Sequence, residues 1–137
     1  MRHVVCPAAE LPPGERRIVD LNGRSIGVFN VNGTFYAVRN RCPHHGAQLC
    51  LGLVKGLVLG PRPYEYEVVR EGEILKCPWH GWEFDLTNGR SIFNPHKVRV
   101  KSYDVTVEPA APGDDDDPAI ETYPVTVEQE VVVLHLS

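Results

Sequence analysis

The chain alternates between short apolar runs and turn residues, and no window shows a sustained helical apolar period. Three early runs are rich in β-branched and aromatic residues: "RRIVDL" at 16–21, "SIGVFNV" at 25–31 and "TFYAVRN" at 34–40. The pairs Asn22-Gly23 and Asn32-Gly33 separate them, and Asn-Gly adopts the positive φ angles that a two-residue hairpin turn needs. The pattern therefore predicts a three-stranded antiparallel meander.

Similar runs continue to the end of the sequence, so we expect a nearly all-β protein. Five more stretches have strand character: "GLVLG", "YEYEVVR" turning through Glu71-Gly72 into "EILK", "WEFDL", "KVRVKSYDVTVE" and a closing hairpin in "ETYPVTVEQEVVVLHLS". A third turn pair stands at Asn88-Gly89. Twelve Gly and twelve Pro interrupt the chain too often for long helices.

Size and charge narrow the class of protein. A chain of 137 residues with 42% apolar content fits one folded domain. Met1–Glu10 lacks the apolar core of a secretion signal, and no run approaches the roughly 20 apolar residues that span a bilayer. These features predict a soluble, cytoplasmic protein.

The net charge of −4 argues against nucleic acid or membrane as a partner and favours a basic protein. Asp114–Asp117 is either a solvated loop or an acidic face that steers such a partner.

Four cysteines in a cytosolic chain indicate metal binding or catalysis more than disulfides. Cys42 and Cys77 begin two similar loops, "CPHHG" and "CPWHG". Cys6 and Cys50 stand elsewhere, and Cys50 lies in the apolar stretch "QLCLGLV", where a buried thiol is expected.

The two loops offer four metal ligands: Cys42, Cys77, His80, and either His44 or His45. Zinc accepts two thiolates and two imidazoles, and so does an iron–sulfur cluster. Proline follows each cysteine and glycine follows each histidine motif, so open turns can aim backbone N–H groups at a shared anionic centre. Bridging sulfides use such donors more than a lone zinc ion does, although the spacing leaves the metal and the first-loop histidine open.

The loops resemble the Rieske family, whose motif is C-x-H in one loop and C-x-x-H in the other. The resemblance runs from "VFNVNGTFYAVRNRCPHHGA" through "ILKCPWHGWEFDLTNGR" to "VRVKSYDV". It implies one [2Fe–2S] cluster per chain, with Cys42 and Cys77 on one iron and His44 and His80 on the other. His45 then becomes a neighbour near the surface. The implied fold is a Rieske-like antiparallel β-sandwich, with a cluster-binding subdomain at about 42–91 and a base subdomain at about 1–41 and 92–137.

The same resemblance predicts a low reduction potential. Respiratory-complex relatives carry a disulfide between the loops and hydroxyl donors to the cluster, whereas this chain has Ala47, Trp79, Trp82 and Phe84 at the corresponding positions. Fewer hydrogen bonds to sulfur stabilise the reduced cluster less, so we expect a midpoint of about −150 mV.

Two further segments have expected places near the cluster. The stretch "GPRPYEYEVVREGE" at 60–73 makes the region between the loops longer than in the simplest ferredoxins by about one hairpin. It is either a decorated surface hairpin or a docking edge. "IFNPHKV" is placed to cover the cluster, with Asn94 and Pro95 as cover residues and His96 as an exposed bystander.

The resemblance therefore implies an electron carrier that takes electrons from a reductase and passes them to an oxygenase-type partner, without a small-molecule substrate. One alternative is the small Rieske subunit of a nitrite-reductase-like or other oxidoreductase complex. An alternative of another class is a structural zinc module for protein interaction, although the ligand spacing matches common zinc patterns poorly.

Overall fold

The computed structural model describes residues 2–43, 46–62, 65–78, 81–92, 98–109 and 130–136. Strands make up most of this part of the chain, all pairings between them are antiparallel, and the only helices in it are two short 3-10 turns. The predicted all-β class is therefore confirmed. Within these ranges no helix is long and apolar enough to cross a membrane.

Nine strands of the described residues form two sheets. The strands are β1 Arg2–Pro7, β2 Arg16–Leu21, β3 Arg24–Val31, β4 Thr34–Arg39, β5 Leu53–Arg62, β6 Glu65–Lys76, β7 Glu83–Asp85, β8 Ser102–Pro109 and β9 Glu130–His135. The larger sheet has the order β1-β9-β8-β4-β3-β2, and the smaller one has the order β5-β6-β7. The 3-10 turns are η1 at Ala8–Glu10 and η2 at Leu49–Leu51.

The predicted meander is confirmed, and so is its turn chemistry. Strand β3 pairs with β2 on one side and with β4 on the other. Asn22 and Gly23 have φ angles of 53° and 76°, and Asn32 and Gly33 have 52° and 97°. Both central residues of each turn thus have the positive φ that a type I′ hairpin requires.

The third Asn-Gly pair behaves differently. Gly89 has a φ of 78°, but Asn88 is not among the residues with positive φ, and the Gly89 N–H donates to the Asp85 carbonyl at 2.7 Å. The prediction of a two-residue hairpin turn is wrong here. The Asp85 carboxylate accepts hydrogen bonds from the following residues and so holds a wider turn.

The predicted turn at Glu71-Gly72 is also wrong, because β6 runs through this point without reversing. Its partner β5 pairs on both sides: Leu57 lies opposite Val69, and Lys55 lies opposite Ile74. One residue of β5 therefore faces four of β6, and the extra residues form a bulge with positive φ at Arg70 and Gly72. The chain reverses instead between Arg62 and Glu65.

Two buried clusters show how the sheets are arranged. The first contains residues from both edge strands of the large sheet, such as Val5 on β1 and Leu21 on β2, so this sheet curls around one core. The second lies between the meander and the small sheet, and it includes Phe29, Leu75 and Phe84. This architecture of a curled sheet with a smaller sheet packed on it agrees with the expected sandwich.

Strand β9 lies in the large sheet, where it pairs with both β1 and β8. The first arm of the predicted closing hairpin and Asp114–Asp117 lie outside the described residues.

Candidate metal centre

The two motif cysteines are buried in one place. Cys42 and Cys77 are 1% and 2% exposed. Both belong to the group of buried hydrophobic residues that lies between the meander and the small sheet. All four cysteines of the chain are free thiols. Cys50 belongs to the same buried group, so three free sulfurs lie at the junction of the sheets, and the two that open the motif loops are the candidate ligands.

The loops that follow these cysteines have matching geometry. The Cys42 N–H donates to the Ala47 carbonyl at 2.8 Å, and the Cys77 N–H donates to the Trp82 carbonyl at 2.6 Å. Each bond spans five residues, and each loop reaches it through a glycine of positive φ, 74° at Gly46 and 70° at Gly81. The similarity of the two motifs is thus structural, because both cysteines open the same kind of closed loop.

Side chains outside the motif hold the first loop in place. The Asn40 side chain accepts a hydrogen bond from the Cys50 N–H at 2.8 Å and donates one to Ser25 Oγ at 3.1 Å. Arg16 on β2 donates from Nη1 to the carbonyls of Cys50 at 2.7 Å and Gly52 at 2.5 Å. Its guanidinium also lies 5.5 Å from the centre of the Phe29 ring. The meander therefore clamps the chain as it leaves the first loop.

The exit of the first loop touches the entrance of the second. A β-carbon on Gly52 would lie 2.0 Å from the Lys76 carbonyl oxygen, and Lys76 directly precedes Cys77. Only a residue without a side chain permits this approach. Sequence reasoning missed the roles of Arg16, Asn40 and Gly52, because no local pattern links positions that meet only in the fold.

The other two cysteines, Cys6 and Cys50, lie outside the two motif loops. Burial raises the pKa of Cys6 to about 11 and that of Cys50 to about 12, despite nearby arginines that oppose the shift. Cys50 is fully buried, as expected, and its Sγ lies 3.6 Å from the Val38 carbonyl oxygen.

Several predicted site residues lie outside the described residues: His44, His45, Trp79, His80, Asn94, Pro95 and His96. Of the positions expected to lack donors to the cluster, Phe84 is fully buried, while Ala47 and Trp82 are half-buried against the same core.

The insert at 60–73 extends away from the second loop. Strand β6 runs from Glu65 to Lys76 in one direction, so its far end lies up to about 35 Å along the strand from the residue that precedes Cys77. Only the base of the β5–β6 hairpin, at Leu53 and Lys76, borders the loops. The two alternatives for the insert, a decorated surface hairpin and a docking edge, both stay predictions.

A polar network fixes the strand that leaves the second loop. Asp85 is 6% exposed, and its carboxylate accepts hydrogen bonds from Thr87 N at 2.9 Å, Thr87 Oγ1 at 2.6 Å and Arg70 Nη2 at 2.7 Å. Burial alone would raise the Asp85 pKa, but the bonds from Thr87 and Arg70 outweigh it, so the pKa is lowered. The bulge in β6 thus places Arg70 over the carboxylate at the end of β7.

This network predicts an acid-sensitive contribution to stability. Because the folded pKa is below the ordinary 3.8, the contribution is present above that pH and is lost as pH falls through the lower folded value. We expect Asp85→Asn to reduce the free energy of unfolding by about 1–2 kcal/mol at pH 7. Urea denaturation between pH 7 and pH 2 should show this difference shrinking on acidification. Asp20→Asn, at an exposed position of β2, is the control, and an equal loss at every pH would contradict the assignment.

Comparison with known proteins decides the family. Residues 1–104 match the Rieske [2Fe-2S] domain. This chain is a Rieske protein. It is similar to the 3-phenylpropionate/cinnamic acid dioxygenase ferredoxin subunit of Escherichia coli (strain K12), with 30% identity over 107 residues, 78% of this chain and 86% of that one.

Two more proteins support the same placement. The ferredoxin component of the naphthalene 1,2-dioxygenase/salicylate 5-hydroxylase systems of Ralstonia sp is 28% identical over 99 residues, 72% of this chain and 80% of the relative. The ferredoxin of carbazole 1,9a-dioxygenase from Nocardioides aromaticivorans IC177 has the same fold, with a TM-score of 0.63, 22% identity and 96% of each chain covered.

The Rieske protein binds a [2Fe–2S] cluster, and its described residues fit that cofactor. Two buried free thiols at the start of matching loops provide the cysteine half of a ligand set with two Cys and two His. Cys6 lies in the other buried hydrophobic cluster, and the Cys50 Sγ lies 3.6 Å from the Val38 carbonyl oxygen, so neither cysteine opens a motif loop.

Proposed function

We propose that this Rieske protein is a one-electron carrier that takes electrons from a reductase and delivers them to an oxygenase-type partner. The observation that carries the proposal is the pair of buried cysteines in matching loops on a chain of this family. Its relatives are ferredoxin components and subunits of dioxygenase systems.

The proposed ligands are Cys42 and Cys77 for one iron and His44 and His80 for the other. When bound, the cluster supplies reversible one-electron chemistry. The two cysteine sulfurs face the core, so the histidine side of each loop provides the outward path for the electron. Support for this direction comes from the burial of both cysteines and the exposure of Pro43, Gly46 and Pro78 in the same loops.

The proposed domain division follows the boundary between the small sheet and the large sheet. A single Rieske domain would comprise a cluster-binding subdomain at about 42–91 and a base subdomain at about 1–41 and 92–137. The small sheet and both cysteine loops fall within the first range, and the strands of the large sheet fall within the second. Four free thiols support a location in the reducing cytoplasm.

Spectroscopy of anaerobically purified protein tests the function. We expect visible absorbance, and after dithionite reduction a rhombic electron paramagnetic resonance signal of low average g value, because two imidazoles ligate one iron. Redox titration should give a midpoint of about −150 mV, since Ala47, Trp82 and Phe84 offer no hydroxyl to the cluster.

Two results would contradict these expectations. A colourless protein with stoichiometric zinc would overturn the carrier function and favour an interaction module. A midpoint well above zero would retain the carrier but refute the low potential.

A further inference from the structure

A cation directly precedes each motif cysteine, and both cations lie over the loop that follows. Arg41 and Lys76 are exposed. A β-carbon on Gly46 would lie 3.7 Å from Nε and Nη2 of Arg41, and one on Gly81 would lie 3.1 Å from Cε and 3.9 Å from Nζ of Lys76. The two loops are thus matched in their charged side chains as well as in their backbone. We call Arg41 and Lys76 the cationic rim.

The most exposed large apolar side chains of the described residues lie beside this rim. Leu51 is 59% exposed and Leu53 is 62% exposed. Leu53 is the strand partner of Lys76, and the hydrogen bond between Asn40 and Cys50 joins the neighbours of Arg41 and Leu51. The cations and leucines therefore stand at the exit of the first loop and the entrance of the second.

The charge of the rim is not neutralised by the described residues around it. Glu83 lies opposite Lys76 on β7, but its carboxylate pairs with Lys55. No ion pair of Arg41 occurs in the part of the chain that the structure describes. The local charge is therefore positive on a protein whose net charge is −4.

We propose that the cationic rim docks the acidic face of the protein that accepts the electron. This inference rests on the proposed function and specifies the partner's surface. The exposed leucines would provide the apolar contact of a specific interface. The attraction between the cationic rim and carboxylates of the partner would orient the two proteins. At physiological salt, charges beyond about 8 Å are largely screened, so charges at the contact itself decide the attraction once the partner is close. The proposed partner thus differs from the basic protein that net charge alone favours.

Small oxidants of known charge test the sign of the field at this surface. The reduced protein would be mixed by stopped flow with ferricyanide, a trianion, or with hexaammineruthenium(III), a trication. One electron passes from each reduced cluster to one oxidant, which becomes ferrocyanide or hexaammineruthenium(II), and no proton is required. Raising the ionic strength from about 10 to about 200 mM should slow the ferricyanide reaction at least about threefold and should accelerate the ruthenium reaction.

Variants assign this effect to the rim. The double variant Arg41→Gln/Lys76→Gln should lose the slowing with ferricyanide, whereas the charge-retaining Arg41→Lys/Lys76→Arg should keep it. Arg2→Gln removes a cation from β1, and it should leave the salt dependence unchanged. Thermal unfolding and the absorbance of the cluster verify that each variant is folded and loaded.

The outcomes distinguish a failure of this inference from a failure of the proposed function. Suppose that the loaded protein reacts with both oxidants, but the rate with ferricyanide rises with salt in both the wild type and the glutamine variant. The net charge then dominates, and the docking surface is refuted. The carrier function would then stand. A protein that holds no reducible cluster reacts with neither oxidant, and that result refutes the proposed function itself.

Discussion

Replacing Cys77 with alanine is expected to abolish cluster binding, and Cys42→Ala is expected to do the same. Either change removes the buried sulfur that opens one of the two matching loops, and the other three ligands cannot complete the set. Visible absorbance and iron per chain should fall to background after anaerobic purification.

The chain supplies its own matched controls. Cys50 is as buried as Cys77, so Cys50→Ala removes an equally inaccessible sulfur, yet it should retain full iron content at some cost in stability. Cys6→Ala should behave likewise. Loss of the cluster in Cys50→Ala, with Cys77→Ala still loaded, would reverse the assignment.

The same assay resolves the histidine that the motif spacing leaves open. His44→Ala should remove the spectrum, whereas His45→Ala should preserve it with an unchanged resonance signal. The opposite pattern would make His45 the ligand.

The substitution Gly52→Ala should have the second largest effect. Its β-carbon would lie 2.0 Å from the Lys76 carbonyl oxygen and 3.0 Å from that of Leu49, and backbone atoms cannot rotate away as a flexible side chain could. The first loop must then separate from the second, which should cost about 3 kcal/mol or more in the free energy of unfolding. Chemical denaturation and the half-life of the visible spectrum at raised temperature measure both consequences.

The neighbouring Leu53→Ala serves as the control, because that side chain is exposed and makes no comparable contact. We expect it to change the free energy of unfolding by about 0.5 kcal/mol or less. A Gly52→Ala protein as stable as Leu53→Ala, with the same cluster half-life, would show that the loops tolerate separation.

Local patterns determined the parts of the fold that the sequence predicted correctly. Asn22-Gly23 and Asn32-Gly33 combine turn chemistry with flanking β-branched runs, and both signals lie within a few residues. The predictions failed where a contact between distant residues decided the backbone. Gly72 is read locally as a turn, but β5 pairs on both sides of it and keeps β6 extended.

The site shows the same limit. Cys42 and Cys77 are evident from two similar motifs, whereas the clamp formed by Arg16 is not, since its two acceptors are 34 and 36 residues away and are backbone carbonyls. Every residue has a backbone carbonyl, so the amino-acid type does not show which carbonyl accepts a hydrogen bond. Gly52 likewise carries no signal of its own, because its φ of −76° is open to any residue and only the approach of Lys76 excludes a side chain.

The pairing of β1 with β9 determines when the large sheet can be completed. Arg2 pairs with His135, so these contacts join strands at nearly opposite ends of the described chain. During synthesis, both cysteine loops leave the ribosome well before β9, and the meander can form from local contacts while β1 still lacks its partner. The cluster site is therefore assembled on a base whose last strand arrives late, and cofactor delivery to the nascent chain can precede closure of the sheet.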